Sequence, residues 1–122
     1  MLNAKVLKGV FDKTDGHCHF CGDEVVFKKY GLKNIQDTSG VWEADHIKQK
    51  GKGGKKDADN CLPACYGCNR LRWHRKGEEI RELLFLGLIA KDEIKKQNST
   101  GKALEALKSK RQEGNHKRRR AL

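Results

Sequence analysis

The chain has 122 residues, enough for one domain and a tail, of which 36% are hydrophobic, 35% charged and 7% aromatic. A domain this small buries only about two-thirds of its unfolded surface, so a core this thin is expected to need reinforcement such as a structural metal. Lys+Arg 27 against Asp+Glu 16 gives a net charge of +11, which points to a polyanionic partner, nucleic acid first and an anionic membrane surface second.

No window approaches the roughly 18 apolar residues that cross a bilayer. The N-terminal MLNAKVLKGVFDKTDG is interrupted by Lys5, Lys8, Asp12 and Lys13, which argues against a secretion signal. A cytoplasmic location is expected, where the five cysteines stay reduced.

Taken in chain order, Leu2, Val6, Val10 and Phe11 fall at near-helical spacing and predict a packing helix over about 2–14. Gly16 to Gly22, GHCHFCG, reads as a tight turn, and Val25-Val26-Phe27 as a short strand. Residues 28–40 are expected to be irregular, closing on a turn at Asp37 to Gly40. Val41 to Ile47 reads as a strand, and 48–59 as a basic loop broken by Gly51, Gly53 and Gly54. Asn60 to Leu62 is a short strand stopped by Pro63, and a helix is expected over about Asn69 to Lys76.

Ile80, Leu83, Leu84 and Leu88 form a second helical stripe, expected to be core and to end near Gly87, with a further turn or two from Asp92 to Gln97. Asn98 to Gly101 carries cap residues, and 102–113 has helical propensity before a basic end containing Arg118, Arg119 and Arg120. This division predicts a main domain over 1–98 and a basic helix or tail over 99–122.

Two C-x-x-C pairs, Cys18-His19-Phe20-Cys21 and Cys65-Tyr66-Gly67-Cys68, each aim two sulfurs at one point. Four thiolates make the closed tetrahedral set that structural Zn²⁺ prefers, and would tie residue 18 to residue 68. An iron–sulfur cluster uses the same ligands and stays open as an alternative. The fifth cysteine, Cys61, reads as a small buried hydrophobe. His17, His19 and His74 are weaker candidate ligands.

Between the cysteine pairs lie Asp45-His46-Ile47, a basic loop with Gly53-Gly54, and Asn60-x-x-x-x-Cys65-x-x-Cys68-Asn69. Over about residues 14–76 this pattern resembles the HNH (His-Asn-His) endonuclease family, in a variant with Asn69 at the third signature position. The resemblance implies an α+β fold with a small ββα-metal (His-Me finger) core, a four-cysteine zinc site and flanking helices. It implies a metal-dependent hydrolase of DNA phosphodiester bonds, leaving 3′-hydroxyl and 5′-phosphate ends. His46 would be the general base, Asp45 and Asn69 the ligands of a catalytic Mg²⁺ or Mn²⁺, and Asn60 the residue that pins the loop and orients His46.

The chemistry of the residues agrees. A neutral imidazole can take a proton at physiological pH, and a hard cation needs oxygen ligands. The resemblance also implies that Arg72 meets the scissile phosphate, and makes His74 a candidate further ligand or phosphate contact. Lys48, Lys50, Lys52, Lys55 and Lys56, with Arg118 to Arg120, are expected on the nucleic-acid backbone. DNA is the expected substrate and RNA the weaker one. Cutting both strands requires two sites, which suggests a homodimer or larger nuclease assembly without establishing one. The competing readings are a non-catalytic zinc-stabilised binding module, or a component active only inside a phage, restriction or defence machine.

Overall fold

The computed structural model describes residues 3–47, 58–74, 76–115 and 118. Helix α1 (Ala4–Asp12) starts where Asn3 Oδ1 accepts the Val6 amide at 2.9 Å, satisfying a donor that the first turn would leave open. Leu7 and Val10 of α1 point inward. No strand forms at Val25-Phe27, contrary to expectation. The Val25 amide bonds the Gly16 carbonyl at 2.8 Å and the Val26 amide that of Gly40 at 2.9 Å, so consecutive residues serve different segments and no ladder can propagate. Phe27–Lys29 instead closes a 3₁₀ turn.

Strands β1 (Trp42–His46) and β2 (Cys61–Cys65) pair antiparallel, from Trp42 opposite Cys65 to His46 opposite Cys61. The second strand was expected to end before Pro63 and instead runs through it. Pro63 lies opposite Ala44, and its carbonyl turns outward to accept the His19 amide at 2.9 Å. The missing N–H therefore faces the open edge, where no ladder bond is lost.

Helix α2 (Tyr66–His74) follows β2 without a loop, three residues earlier than expected. The reason is Cys65, whose Sγ accepts the Cys68 amide at 3.4 Å and so occupies the cap position of the first turn. The hairpin β1–β2 with α2 packed on it is the ββα unit that the motif predicted.

One face of the hairpin carries the core. Trp42 is fully buried, with Phe11 and Tyr30 rings 5.7 and 4.8 Å from its own, and its Nε1 donates to the Phe27 carbonyl at 3.3 Å. Leu7, Val10, Val25 and Cys61 complete the cluster, so Cys61 is the buried small residue expected. Lys13, just past α1, donates its Nζ to the carbonyls of Ala58 at 2.5 Å and Cys61 at 3.1 Å. It thereby holds the chain where it re-enters the sheet.

Helix α3 (Gly77–Lys96) is a single element of 20 residues, where two pieces broken at Gly87 were expected. One interior glycine costs only about 1 kcal/mol, and strong helix formers surround it. Gln97 is left-handed (φ 54°), and Asn98 Oδ1 then caps helix α4 (Ser99–Gln112) by accepting the Gly101 amide at 2.7 Å. The two helices form a hairpin in which Gly101 lies directly against the Glu93 main chain.

The stripe Ile80, Leu83, Leu84 and Leu88 does not enter a core. These residues are 37, 48, 61 and 61% exposed, and α3 buries none of its residues. Helix α4 half-covers Ala90, Glu93 and Ile94 and leaves the residues between Ile80 and Ile89 exposed. Among the described residues no helix is long and apolar enough to cross a membrane.

Candidate metal centre and active site

The Cys18 and Cys21 turn sits beside the start of α2, and the Sγ atoms of Cys18, Cys21, Cys65 and Cys68 lie within 4.8 Å of one another. A tetrahedron with Zn–S bonds of about 2.3 Å has edges of about 3.8 Å. The Cys21 and Cys65 sulfurs are 3.8 Å apart, so the cluster fits a zinc ion and could hold one. The protonation of the four thiols shows why a dication suits them. Cys18 is pulled far below the thiol range by hydrogen bonds from Cys21, Cys65 and Cys68. Cys21 is opposed by Cys18 but lowered to about 7 by Cys65 and Cys68. Cys65 and Cys68 are pushed well up, above all by their hydrogen bonds to Cys18 and Cys21. Without a cation, four thiolates cannot share the space; a dication offsets half of their charge and lets all four stay deprotonated together.

A different arrangement stands beside this cluster, on the face of β1 opposite the core. Asp45 has a fully buried side chain. Its Oδ2 accepts from Arg72 Nη1 at 2.5 Å and is 2.9 Å from His19 Nε2. Its Oδ1 is buried and has no hydrogen-bond partner among the described residues. Arg72 Nη2 continues to the carbonyls of His46 at 3.3 Å and Ile47 at 3.4 Å. The Ile47 amide in turn bonds the Asn60 carbonyl at 2.9 Å. The main chain on either side of His46 is thus held by Arg72 from α2 and by Asn60 from the returning chain.

The signature residues take these places. His46 is half-buried at the end of β1, alternating in side from Asp45 as strand geometry requires. Asn60 is buried beside it. Asn69 is half-buried on α2, one turn before Arg72 and so on the same helix face, with no hydrogen bond to Asp45. The side chain of His74, Lys48, Lys50, Lys52, Lys55, Lys56, Arg119 and Arg120 lie outside the described residues.

Two of the arginines expected on nucleic acid make contacts within the chain. The Arg72 guanidinium reaches the buried Asp45 carboxylate and two strand carbonyls. Arg118, expected on nucleic acid, is 8% exposed and donates to the Glu113 and Arg111 carbonyls at 2.6 and 2.7 Å. Those carbonyls close the end of α4, which has no partners of its own for them.

His19 is the residue the sequence undersold. Weighed there only as a spare zinc ligand, it lies between two cysteines whose sulfurs point into the four-sulfur cluster, and its own ring reaches Asp45. It also stacks on Phe20 at 4.0 Å between centroids. Exposed Phe20 and Trp73 rings lie 6.0 and 4.9 Å from the Arg72 guanidinium.

No curated protein and no solved structure matches the chain. A family model does: HNH endonuclease, over residues 18–75. That interval opens at the first zinc-type cysteine and takes in both strands, Asp45-His46, Asn60 and α2. Residues 18–75 are therefore an HNH endonuclease family domain, with a four-cysteine cluster that fits the zinc subtype.

Proposed function

We propose that this chain hydrolyses DNA phosphodiester bonds, with His46 as general base and a divalent cation, Mg²⁺ or Mn²⁺, held by Asp45 and Asn69. The observation that carries the reading is the divided carboxylate of Asp45: one oxygen is fixed by Arg72 and His19, and the other is buried without a partner among the described residues. A buried acceptor left open is costly unless a ligand completes it, and a carboxylate oxygen and an amide carbonyl are the donor types a hard cation takes. When bound, such a cation supplies charge stabilisation to the phosphate and the leaving oxygen.

The chain's own part is positioning and proton transfer. Arg72 and Asn60 fix the main chain around His46, which holds the imidazole for water activation. Arg72 acts here as a positioning residue. The lysines of 48–56, next to His46 in sequence, are proposed to neutralise phosphates of the bound strand, which makes binding salt-sensitive. RNA remains the weaker substrate.

The test is cleavage of supercoiled plasmid by the wild type, by His46→Ala and by Asp45→Asn, with Mg²⁺ or Mn²⁺ and with EDTA. Metal-dependent nicking that falls by at least about 100-fold in His46→Ala supports the mechanism. Equal cutting by His46→Ala refutes it. Binding to DNA without cutting, under all these conditions, favours the non-catalytic binding module or a component that needs a partner.

A further inference from the structure

Helix α3 carries large apolar residues between Leu83 and Ile89 that no core among the described residues takes in. A helix apolar nearly all the way round is normally a buried one. Leu84, Phe85, Leu88 and Ile89 are exposed by 61, 63, 61 and 47%. They lie on the side of α3 turned away from Ala90 and Ile94, which face α4.

The charges around this patch follow a pattern. Glu78, Arg81, Phe85, Leu88/Ile89, Asp92 and Lys96 recur at steps of three and four, and so form one stripe along the helix. The four charged members are exposed. From one end the stripe runs acid, base, apolar, apolar, acid, base. Laid antiparallel on a copy of itself, it sets Phe85 against Leu88 and Ile89 of the second copy, Arg81 against its Asp92, and Glu78 against its Lys96. A parallel pairing would set each charge against its like.

We infer that α3 is a homodimer interface, in which two copies pack antiparallel about a two-fold axis near the middle of the helix. Four apolar side chains exposing on the order of 100 Å² each give roughly 400 Å² per copy. The stems of the flanking charged residues bring the total to about 1,000 Å² for the pair, the lower edge of a specific interface. The interface should therefore be reversible, with a Kd on the order of micromolar.

The experiment is sedimentation equilibrium of the zinc-loaded full chain, free of nucleic acid, from about 1 to 200 µM. The expected result is a weight-average mass that rises from the 13.9 kDa protomer towards twice that value and then stops. Phe85→Glu should weaken association by about 100-fold, while its melting curve as a dilute monomer stays unchanged because Phe85 is exposed there. Arg81→Asp and Asp92→Arg should each weaken it by about 5- to 10-fold, and the double substitution should return to within about 3-fold of wild type. A monomer at every concentration overturns the inference, as does a double variant no better than either single one. Growth beyond the dimer that ignores the charge exchange also overturns it.

Discussion

The Arg72–Asp45 contact permits a quantitative test of what holds the site. Arg72→Leu removes the guanidinium but keeps most of the volume of its stem. It leaves a carboxylate with no exposed side-chain surface facing only His19. Breaking one side of a buried ion pair costs about 3–5 kcal/mol. His19 offsets some of that, and the longer bonds to the His46 and Ile47 carbonyls add about 0.5 kcal/mol each. A loss of about 3–4 kcal/mol is expected, a large share of the roughly 5–15 kcal/mol that holds a small domain together. Asp45→Asn keeps the shape without the charge and should cost about 1–2 kcal/mol. In the double variant no buried charge is stranded, so its cost should fall short of the sum by about 2 kcal/mol. Urea unfolding of the zinc-loaded protein at neutral pH measures all three. A coupling energy below about 0.5 kcal/mol would show that the pair is not what fixes the site.

Two further outcomes follow from the same coordinates. Removing zinc with a strong chelator should abolish cooperative unfolding, since structural zinc sites contribute on the order of 10 kcal/mol, and a thiol-modifying reagent should release one ion per chain; an unchanged melting curve without zinc would refute the structural role. Glu43 is held above its ordinary value of 4.5, chiefly by burial and against the pull of Lys33. A carboxylate with a raised folded pKa destabilises the fold once it is charged, and that cost fades as pH falls through the folded pKa. Glu43→Gln should therefore raise the melting temperature near neutral pH, with the gain shrinking towards about pH 4; a lower melting temperature at neutral pH would contradict the sign.

What could be read from the sequence was whatever local spacing dictates. Two residues between cysteines force their sulfurs together, and so the metal cluster was legible from Cys18, Cys21, Cys65 and Cys68. Alternation along a strand placed Asp45 and His46 on opposite sides. The partners of Asp45 were not legible, because His19 and Arg72 stand 26 and 27 residues away and reach it only once the zinc turn and α2 are docked. Pro63 misled because its effect depends on which edge its nitrogen faces. The apolar stripe of α3 was visible, but periodicity reports that a face favours burial and not what buries it, so Leu84 and Leu88 were assigned to a core that does not include them.

The Lys13 contact bears on where the HNH-family unit begins. The family match opens at Cys18, yet the ammonium that steadies the chain on its way back into the sheet comes from five residues earlier, and Leu7 and Val10 supply the cover for Trp42. The recognisable motif is thus smaller than the folding unit. A fragment cut at the motif boundary would keep every signature residue and every zinc-type cysteine, but it would lose one wall of its core and the clamp on Ala58. The helix that carries no signature at all thus supplies part of the packing on which the signature strand rests.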